Sequence, residues 1–300
     1  MNVIFAADKK FLDGLRVSIT SLLKSTNAVD VISIAVLHSS LSASDTESLL
    51  KLCDRHSLDR SRISFINIDS YDFSGVRMIR GSKMTYARML IPELFPDESE
   101  VIYCDCDILL RKGLDEVLEA PTSNQFVAGA QDATVLVVDN DCAWNDVPED
   151  GRKNIYFNCG LIKINLELWR EHDISKRAIH ISRSEPEKCK YWDQSVLNYL
   201  CIGRSHIFGQ SNNLQLRADS PPQDSLDVNI HYIGPKKPWM LYVSNESFRL
   251  WRQSYADNVS RIPYYALRPS FWFLSAAVWV SKVTGSRDKV RAIRRALLGW

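Results

Sequence analysis

The chain has no Cys-x-x-Cys pair, no signal-peptide pattern, no internal repeat and no strong net charge. Its seven cysteines (Cys53, Cys104, Cys106, Cys142, Cys159, Cys189 and Cys201) are odd in number, and several sit inside apolar runs. That favours reduced thiols in a reducing compartment over a disulfide framework or a cysteine zinc site. Asn2-Val-Ile-Phe-Ala-Ala-Asp8 follows Met1 without a basic region and is too short for a secretion signal, so the sequons at Asn245 and Asn258 are discounted. Phe271–Val280 is a run of ten uncharged residues, against the roughly 20 needed to span a bilayer. With 300 residues, 45% hydrophobic and 24% charged, the composition is that of an ordinary globular protein, one large α/β domain or two modest ones.

The net charge of +1 conceals an asymmetry. From Ser260 onward eight Lys/Arg face one acid, Asp288, so this end carries +7 and leaves −6 for residues 1–259. Val290, Ile293, Leu297 and Leu298 share one face of a helix with arginines elsewhere on it. An aromatic apolar segment followed by a basic amphipathic helix suits in-plane attachment to anionic lipid. The alternative is a pair of capping helices with solvated basic residues.

Along the chain, Asn2–Ala7, Val31–Leu37 and Ile63–Ile68 read as strands. Between them lie a helix over 11–26 and a second one opened by a Ser44-x-x-Glu47 capping box. This βαβαβ order predicts a parallel sheet whose ligands gather at the carboxyl ends of the strands, near Asp8 and Asp69. A helix is expected at Thr85–Leu90, and further strands at Val101–Cys104, Phe126–Ala130 and from Tyr156 on. Residues 205–228 are weakly patterned, and His231–Trp239 reads as a compact turn.

Val101-Ile-Tyr-Cys-Asp105-Cys-Asp107-Ile-Leu-Leu110 is the most informative stretch. If the backbone stays extended, Asp105 and Asp107 point to one side, and Cys104 and Cys106 to the other, toward the core. Two like charges ending a buried strand call for a cation between them, and carboxylates suit Mg²⁺ or Mn²⁺ carrying phosphate oxygens. The alternative is two solvated aspartates.

Six segments in order extend the pattern: Phe5-Ala-Ala-Asp8, Thr85-Tyr-Ala-Arg88, Tyr103-Cys-Asp105-Cys-Asp107, Tyr156-Phe-Asn158-Cys-Gly160, Trp192-Asp193-Gln194 and His231-Tyr-Ile-Gly234-Pro-Lys-Lys237-Pro-Trp239. With them, over about residues 3–240, the sequence resembles glycosyltransferase family 8, especially bacterial enzymes adding α-linked galactose or glucose to lipopolysaccharide or related surface glycans. The resemblance implies an α/β fold: a single Rossmann-like nucleotide-diphospho-sugar transferase domain of GT-A type over 1–245, with a mostly parallel sheet. Residues 246–300 are then a helical, basic extension suited to membrane-surface attachment.

It further implies that Asp105, Asp107 and His231 bind Mn²⁺ (or Mg²⁺) bridging the diphosphate of a UDP-sugar, with Asp105 also touching the donor. Gly234 and Lys237 would meet a phosphate, Asp8 and Phe11 the uracil and ribose. Arg88, Asp132 and Asn158 would hold the donor sugar, and Asp193 and Gln194 flank the reacting carbon. Lys10-Phe11 replaces the family's usual asparagine-tyrosine pair. Structural alternatives are a helix-end charge for Asp8, a surface salt bridge for Arg88 and a turn role for Asn158. Asp193 and Asp132 are possible nucleophiles, while an amide such as Gln194 is a poor one, which favours front-face attack by the acceptor hydroxyl. The implied partners are a UDP-hexose, a glycan or glycolipid acceptor and an anionic membrane surface on the cytoplasmic side, without nucleic acid. Rival readings are a D-x-D phosphatase, a sugar-nucleotide pyrophosphorylase, and a membrane-docked module that binds nucleotide-sugar without turnover. The phosphatase motif ends a first strand rather than a fourth, and the pyrophosphorylase loop is glycine-rich where this chain has Ala-Ala-Asp-Lys-Lys-Phe.

Overall fold

The computed structural model describes residues 2–26, 32–79, 81–141, 144, 146–240 and 246–260. Apolar runs and amphipathic stretches alternate at the start: β1 (Asn2–Asp8), α1 (Leu12–Ser25), β2 (Ser33–Ser39), α2 (Ala43–Arg55) and β3 (Ile63–Asn67). The capping box at α2 is formed by Ser42 and Asp45, two residues before the expected pair. Ser42 Oγ accepts from Asp45 N at 3.3 Å and Ser42 N donates to Asp45 Oδ2 at 2.9 Å, while Lys9 adds an ion pair to the same carboxylate. That extra partner favours Asp45 over Glu47 as the returning acid.

Met84–Leu90 is a 3₁₀ helix that runs into α3 (Ile91–Leu94), with Pro92 in its first turn. Then follow β4 (Glu100–Asp105), β5 (Ile108–Leu109), α4 (Asp115–Glu119), β6 (Val127–Gln131), α5 (Glu149–Arg152), β7 (Phe157–Asn165), α6 (Leu166–Glu171), α7 (Ile174–Ser184) and α8 (Asp193–Leu200). The weakly patterned 205–228 stretch contributes β8 (Ser205–Ile207) and β9 (Leu214–Leu216), followed by β10 (Ile230–Tyr232) and α9 (Arg249–Asn258). His231 therefore lies in a strand, where the sequence suggested a turn.

Among the described residues, seven strands form one sheet in the order β3-β2-β1-β4-β7-β6-β8. The β3-β2-β1-β4 wing is parallel, as expected. β7 runs against both β4 and β6, and β8 is parallel to β6. That single reversal matters for the site, because it delivers the amino end of β7 to the carboxyl ends of its neighbours. Core clusters line both faces, one around Tyr86, Tyr103, Ile162 and Trp169, the other around Phe5, Leu15, Ile19 and Leu161. Burial of this apolar surface is the main driving force for the fold. Six cysteines are described; all are buried free thiols, and Cys104 and Cys106 both belong to the second cluster.

Two compact units are distinguished by their internal contacts. The first holds residues up to Leu216 together with Ser225–His231, and the second holds Arg217–Asp224 with residues from Tyr232 on. The second unit has an aromatic interior in which Tyr232 meets Phe248 edge-on at 5.6 Å and Trp251 stacks with Tyr255. Ser247 Oγ donates to Ala218 O there, and Arg249 pairs with Asp224. The boundary expected near residue 245, the apolar 271–280 run and the basic helix over 287–300 lie outside the described residues. No helix of the described residues is long and apolar enough to cross a membrane.

Candidate active site

β4 ends at Asp105, and Cys106–Asp107 turn before β5 begins, so the two acids do not share an extended segment as the i, i+2 argument assumed. They converge through the turn instead. Three hydrogen bonds, one to β1 and two to α1, hold the turn and the residues after it. The Cys106 thiol donates to Ala6 O at 3.1 Å, Ser18 Oγ of α1 donates to Ile108 O at 2.6 Å, and Leu110 N donates to Ser21 Oγ at 3.0 Å. β5 then pairs antiparallel with β10 in a register that sets Ile108 opposite His231. Strand pairing thus brings a distant imidazole beside the acids. His231 Nε2 lies 3.2 Å from Asp107 Oδ1 and 3.9 Å from Asp105 Oδ2.

One ligand atom from each of Asp105, Asp107 and His231 falls within 4.8 Å of the others. Asp107 and His231 are buried, and Asp105 is partly exposed. Desolvation raises the Asp105 carboxyl above its ordinary value, with Arg88 opposing and Asp107 adding to the rise. Such crowding of electron-rich atoms suits a divalent cation, and two hard oxygens with a borderline nitrogen form a ligand set for one. Gly160 gives a second sign of fit. A Cβ there would sit 2.2 Å from His231 Cε1 and 2.7 Å from Nδ1, so the imidazole packs into space that only glycine leaves.

Alongside, the reversed β7 places Asn158 at the centre of a polar cluster. Asn158 Nδ2 donates to Asp132 Oδ2 at 3.0 Å and to Gln194 Oε1 at 3.3 Å. Gln194 Oε1 also accepts from Cys159 N at 3.0 Å, and Gln194 Nε2 donates to Asp132 Oδ2 at 3.1 Å. Asp132 Oδ1 accepts from Thr134 N, Thr134 Oγ1 and Val135 N at 2.8, 2.8 and 3.0 Å. Burial alone would raise this carboxyl, but those donors hold it below the ordinary range.

Arg88 links the two groups. Its Nε lies 3.0 Å from Asp193 Oδ2, its Nη2 lies 3.4 Å from Asp105 Oδ1, and it hydrogen-bonds to the Cys159 carbonyl. The guanidinium also covers the Tyr103 ring at 4.2 Å, while Tyr103 OH donates to Asp105 Oδ1 at 2.8 Å. Arg88 is 3% exposed, which rules out the surface salt bridge, and the buried Asn158 is no turn former. Burial pushes Asp193 up to about 6, with Arg88 pulling the other way.

The remaining predicted residues have contacts of their own. Asp8 caps the 3₁₀ turn Lys9–Phe11 by accepting from Lys10 N, and it also accepts from Ser82 Oγ at 2.9 Å. Phe11 is partly buried against the core. Gly234 and Lys237 belong to the second unit, where Gly234 adopts φ +83° and Lys237 Nζ donates to Tyr232 O at 2.8 Å. Sequence reasoning overlooked several supporting residues. Asn213 accepts at His231 Nδ1 at 3.0 Å, and Gln215 bonds Ala133 N and Gln131 O to fix the end of β6. Asn229 accepts from Arg111 N and Lys112 N to clamp the chain after β5. Their one visible signal was an excess of amide residues in a stretch without hydrophobic period.

The model described as "Glycosyl transferase family 8" matches residues 2–241, most of the chain. The chain belongs to glycosyltransferase family 8. Among family relatives, "Lipopolysaccharide 1,3-galactosyltransferase" of Salmonella typhimurium is 27% identical over 255 residues, 79% of this chain and 72% of the relative. "Lipopolysaccharide 1,2-glucosyltransferase" of Escherichia coli is 21% identical over 263 residues, 84% and 76% of the two chains. The solved structure of galactosyltransferase LgtC with donor and acceptor sugar analogs superposes with a TM-score of 0.70 at 24% identity, covering 86% of this chain and 96% of that one. The fold is accordingly the GT-A type that the sequence implied.

Proposed function

We propose that this family 8 glycosyltransferase moves galactose or glucose from a UDP-sugar to a hydroxyl of lipopolysaccharide or another surface glycan, with retention at the anomeric carbon. The convergence of Asp105, Asp107 and His231 beside the Arg88–Asp193 pair carries this reading. The names of the two lipopolysaccharide relatives support the acceptor class and the choice of hexoses. Asp105, Asp107 and His231 would hold Mn²⁺, or Mg²⁺ in its place, and the ion supplies Lewis-acid stabilisation of the departing diphosphate.

The chain's own groups do the rest. Asp132 takes five hydrogen bonds, three on Oδ1 and two on Oδ2, so its lone pairs are committed and it serves to orient Asn158 and Gln194 toward the sugar rather than as a nucleophile. Gln194 Oε1 is fixed by two donors and is an amide oxygen, suited to facing positive charge at the anomeric carbon rather than to forming a bond with it. Asp193 is held by Arg88 next to it. Front-face displacement follows: the anomeric C–O bond breaks with its electron pair leaving on UDP. The acceptor oxygen bonds on the same face, and its proton passes to the departing phosphate oxygen. Asn158 and Arg88 orient the sugar, and Asp8 and Phe11 meet the uracil and ribose.

Residues 1–245 form the transferase domain in this reading, and 246–300 attach it to the anionic inner face of the cytoplasmic membrane through the aromatic and basic tail. Hydrolysis of a panel of UDP-sugars, with and without Mn²⁺, tests the assignment without a known acceptor. Metal-dependent release of UDP from UDP-galactose or UDP-glucose is expected. Binding of UDP without any turnover would favour the non-catalytic module, and release of phosphate from simple esters would favour the phosphatase.

A further inference from the structure

Four residues carry an unbroken line of hydrogen bonds from the Asp132 carboxylate to the proposed metal ligand, and two amides lie between. The direction of each bond is fixed by groups that have only one role. Gly160 N, a backbone donor, points at Asn158 Oδ1 at 3.0 Å, and the Asp132 carboxylate, an acceptor, receives Asn158 Nδ2. Asn158 Oδ1 therefore accepts from its other neighbour as well, which makes that neighbour Asn213 Nδ2, at 3.0 Å. Asn213 then turns its Oδ1 to His231 Nδ1, at 3.0 Å, so Nδ1 is the nitrogen that carries hydrogen. Asn213 is wholly buried and Asn158 nearly so, hence water does not replace either partner.

We propose that Asn213 is a positioning residue for the metal site: it holds His231 in the Nδ1–H tautomer and so turns the Nε2 lone pair toward Asp105 and Asp107. A free neutral histidine side chain favours the opposite tautomer, with hydrogen on Nε2, which would aim N–H at the ligand position and obstruct a cation. Every donor in the line points the same way, from His231 through Asn213 and Asn158 to Asp132. The negative carboxylate at the far end therefore strengthens Nε2 as a ligand, an extended form of the carboxylate–histidine–metal arrangement. Gly160 serves the same end twice, by giving its N–H to Asn158 and by leaving room for the ring. The role assigned to Asn213 rests on the metal-site reading above.

Two measurements on the full chain test it. In metal-free protein, at a pH where the imidazole is neutral, long-range ¹H–¹⁵N spectra should give His231 as the Nδ1–H tautomer, the signal being assigned by its loss in His231→Gln. An Nε2–H signal would overturn the proposal whether or not any variant folds. Mn²⁺ titration in the presence of UDP should then weaken about 10- to 100-fold in Asn213→Leu, the range for loss of a ligand's supporting partner. Asn213→Asp should stay within about threefold, because its carboxylate still accepts from Nδ1 although its bond to Asn158 is lost. Equal losses in both variants would mean that Asn213 acts only through Asn158, and no loss in either would refute the role outright. If the unaltered chain binds no Mn²⁺ while the tautomer is as stated, the metal reading fails and the hydrogen-bond line stands as a structural feature only, which also removes the role proposed for Asn213.

Discussion

In the β3-β2-β1-β4 wing, parallel ladders run through Ile4, Ile34, Val36 and Ile102, each at most 1% exposed, and leucines of α1 and α2 cover one face. Across β4 the buried positions change character. Asn158, Lys163 and Asn165 all lie on the wholly buried β7, and Asn212, Asn213 and Asn229 fill the segment that follows β8. Lys163 Nζ is satisfied by the carbonyls of Leu118 and Ala120 and by Glu100. The first wing is held by apolar area, which tolerates exchange of similar volumes. The second depends on individual polar partners, each costly to leave unmatched in a buried setting. The apolar scaffold thus lies on one side of β4, and the network of buried amides lies on the other.

Asp105→Ala or Asp107→Ala should break the comparison most severely. Metal-dependent sugar transfer is expected to fall by about 10³-fold or more, since the lost Lewis-acid stabilisation is worth several kcal/mol and each 1.36 kcal/mol is tenfold. Thermal melting should confirm that the fold persists. Unchanged turnover in either variant would falsify the metal assignment.

Gly160→Ala comes next, with Leu49→Ala of α2 as its counterpart. The added methyl collides with the His231 ring, and Mn²⁺ affinity measured by calorimetry should drop about 10- to 100-fold. Leu49 is wholly buried in the other wing; its truncation should cost about 2–5 kcal/mol in urea unfolding yet leave Mn²⁺ affinity per folded molecule unaltered. Comparable effects of the two changes on metal binding would erase the distinction between wings.

Acidification should sharpen it. Burial lifts Asp193 to about 6 against the pull of Arg88, so protonation as pH falls through about 6 discharges the pair that we propose flanks the reacting carbon. UDP-sugar hydrolysis should decline over that window, and a flat rate from pH 5 to 7 would contradict the role. The stability effect has the opposite sign. A carboxyl raised in the folded state contributes stability that is complete below 3.8 and is lost as pH rises through about 6.

The smallest effect belongs to the parallel wing. Asp45 is lowered to about 2, because hydrogen bonds from Lys9 and Ser42 outweigh the upward push of burial. Its stabilising contribution is present above 3.8 and is lost as pH falls toward about 2. Asp45→Asn should cost about 1 kcal/mol at neutral pH, shrinking toward zero in strong acid. A constant difference across that range would show the cap to be unimportant.

The same contrast governs what could be read from the sequence. Apolar runs and helical spacing revealed β1, α1, β2, α2 and β3, because burial of one face imposes a period on the residues. Asp105, Asp107 and His231 were legible through motif chemistry and family resemblance. The reversal of β7 was hidden, since a strand buried on both faces reads alike in either direction. Asn213 and Gln215 were hidden because an amide is chosen by its partners, which the chain brings together only after folding. The Ser44–Glu47 cap was misplaced for a related reason: Lys9, remote in sequence, adds an ion pair to Asp45.

Crystals of the full chain soaked with Mn²⁺ and UDP, measured at the manganese absorption edge, address the central claim most directly. A single anomalous peak coordinated by Asp105, Asp107 and His231 Nε2, with the diphosphate on its open side, is the predicted result. A peak held elsewhere, or diphosphate bound while the imidazole points away from both acids, would contradict the account.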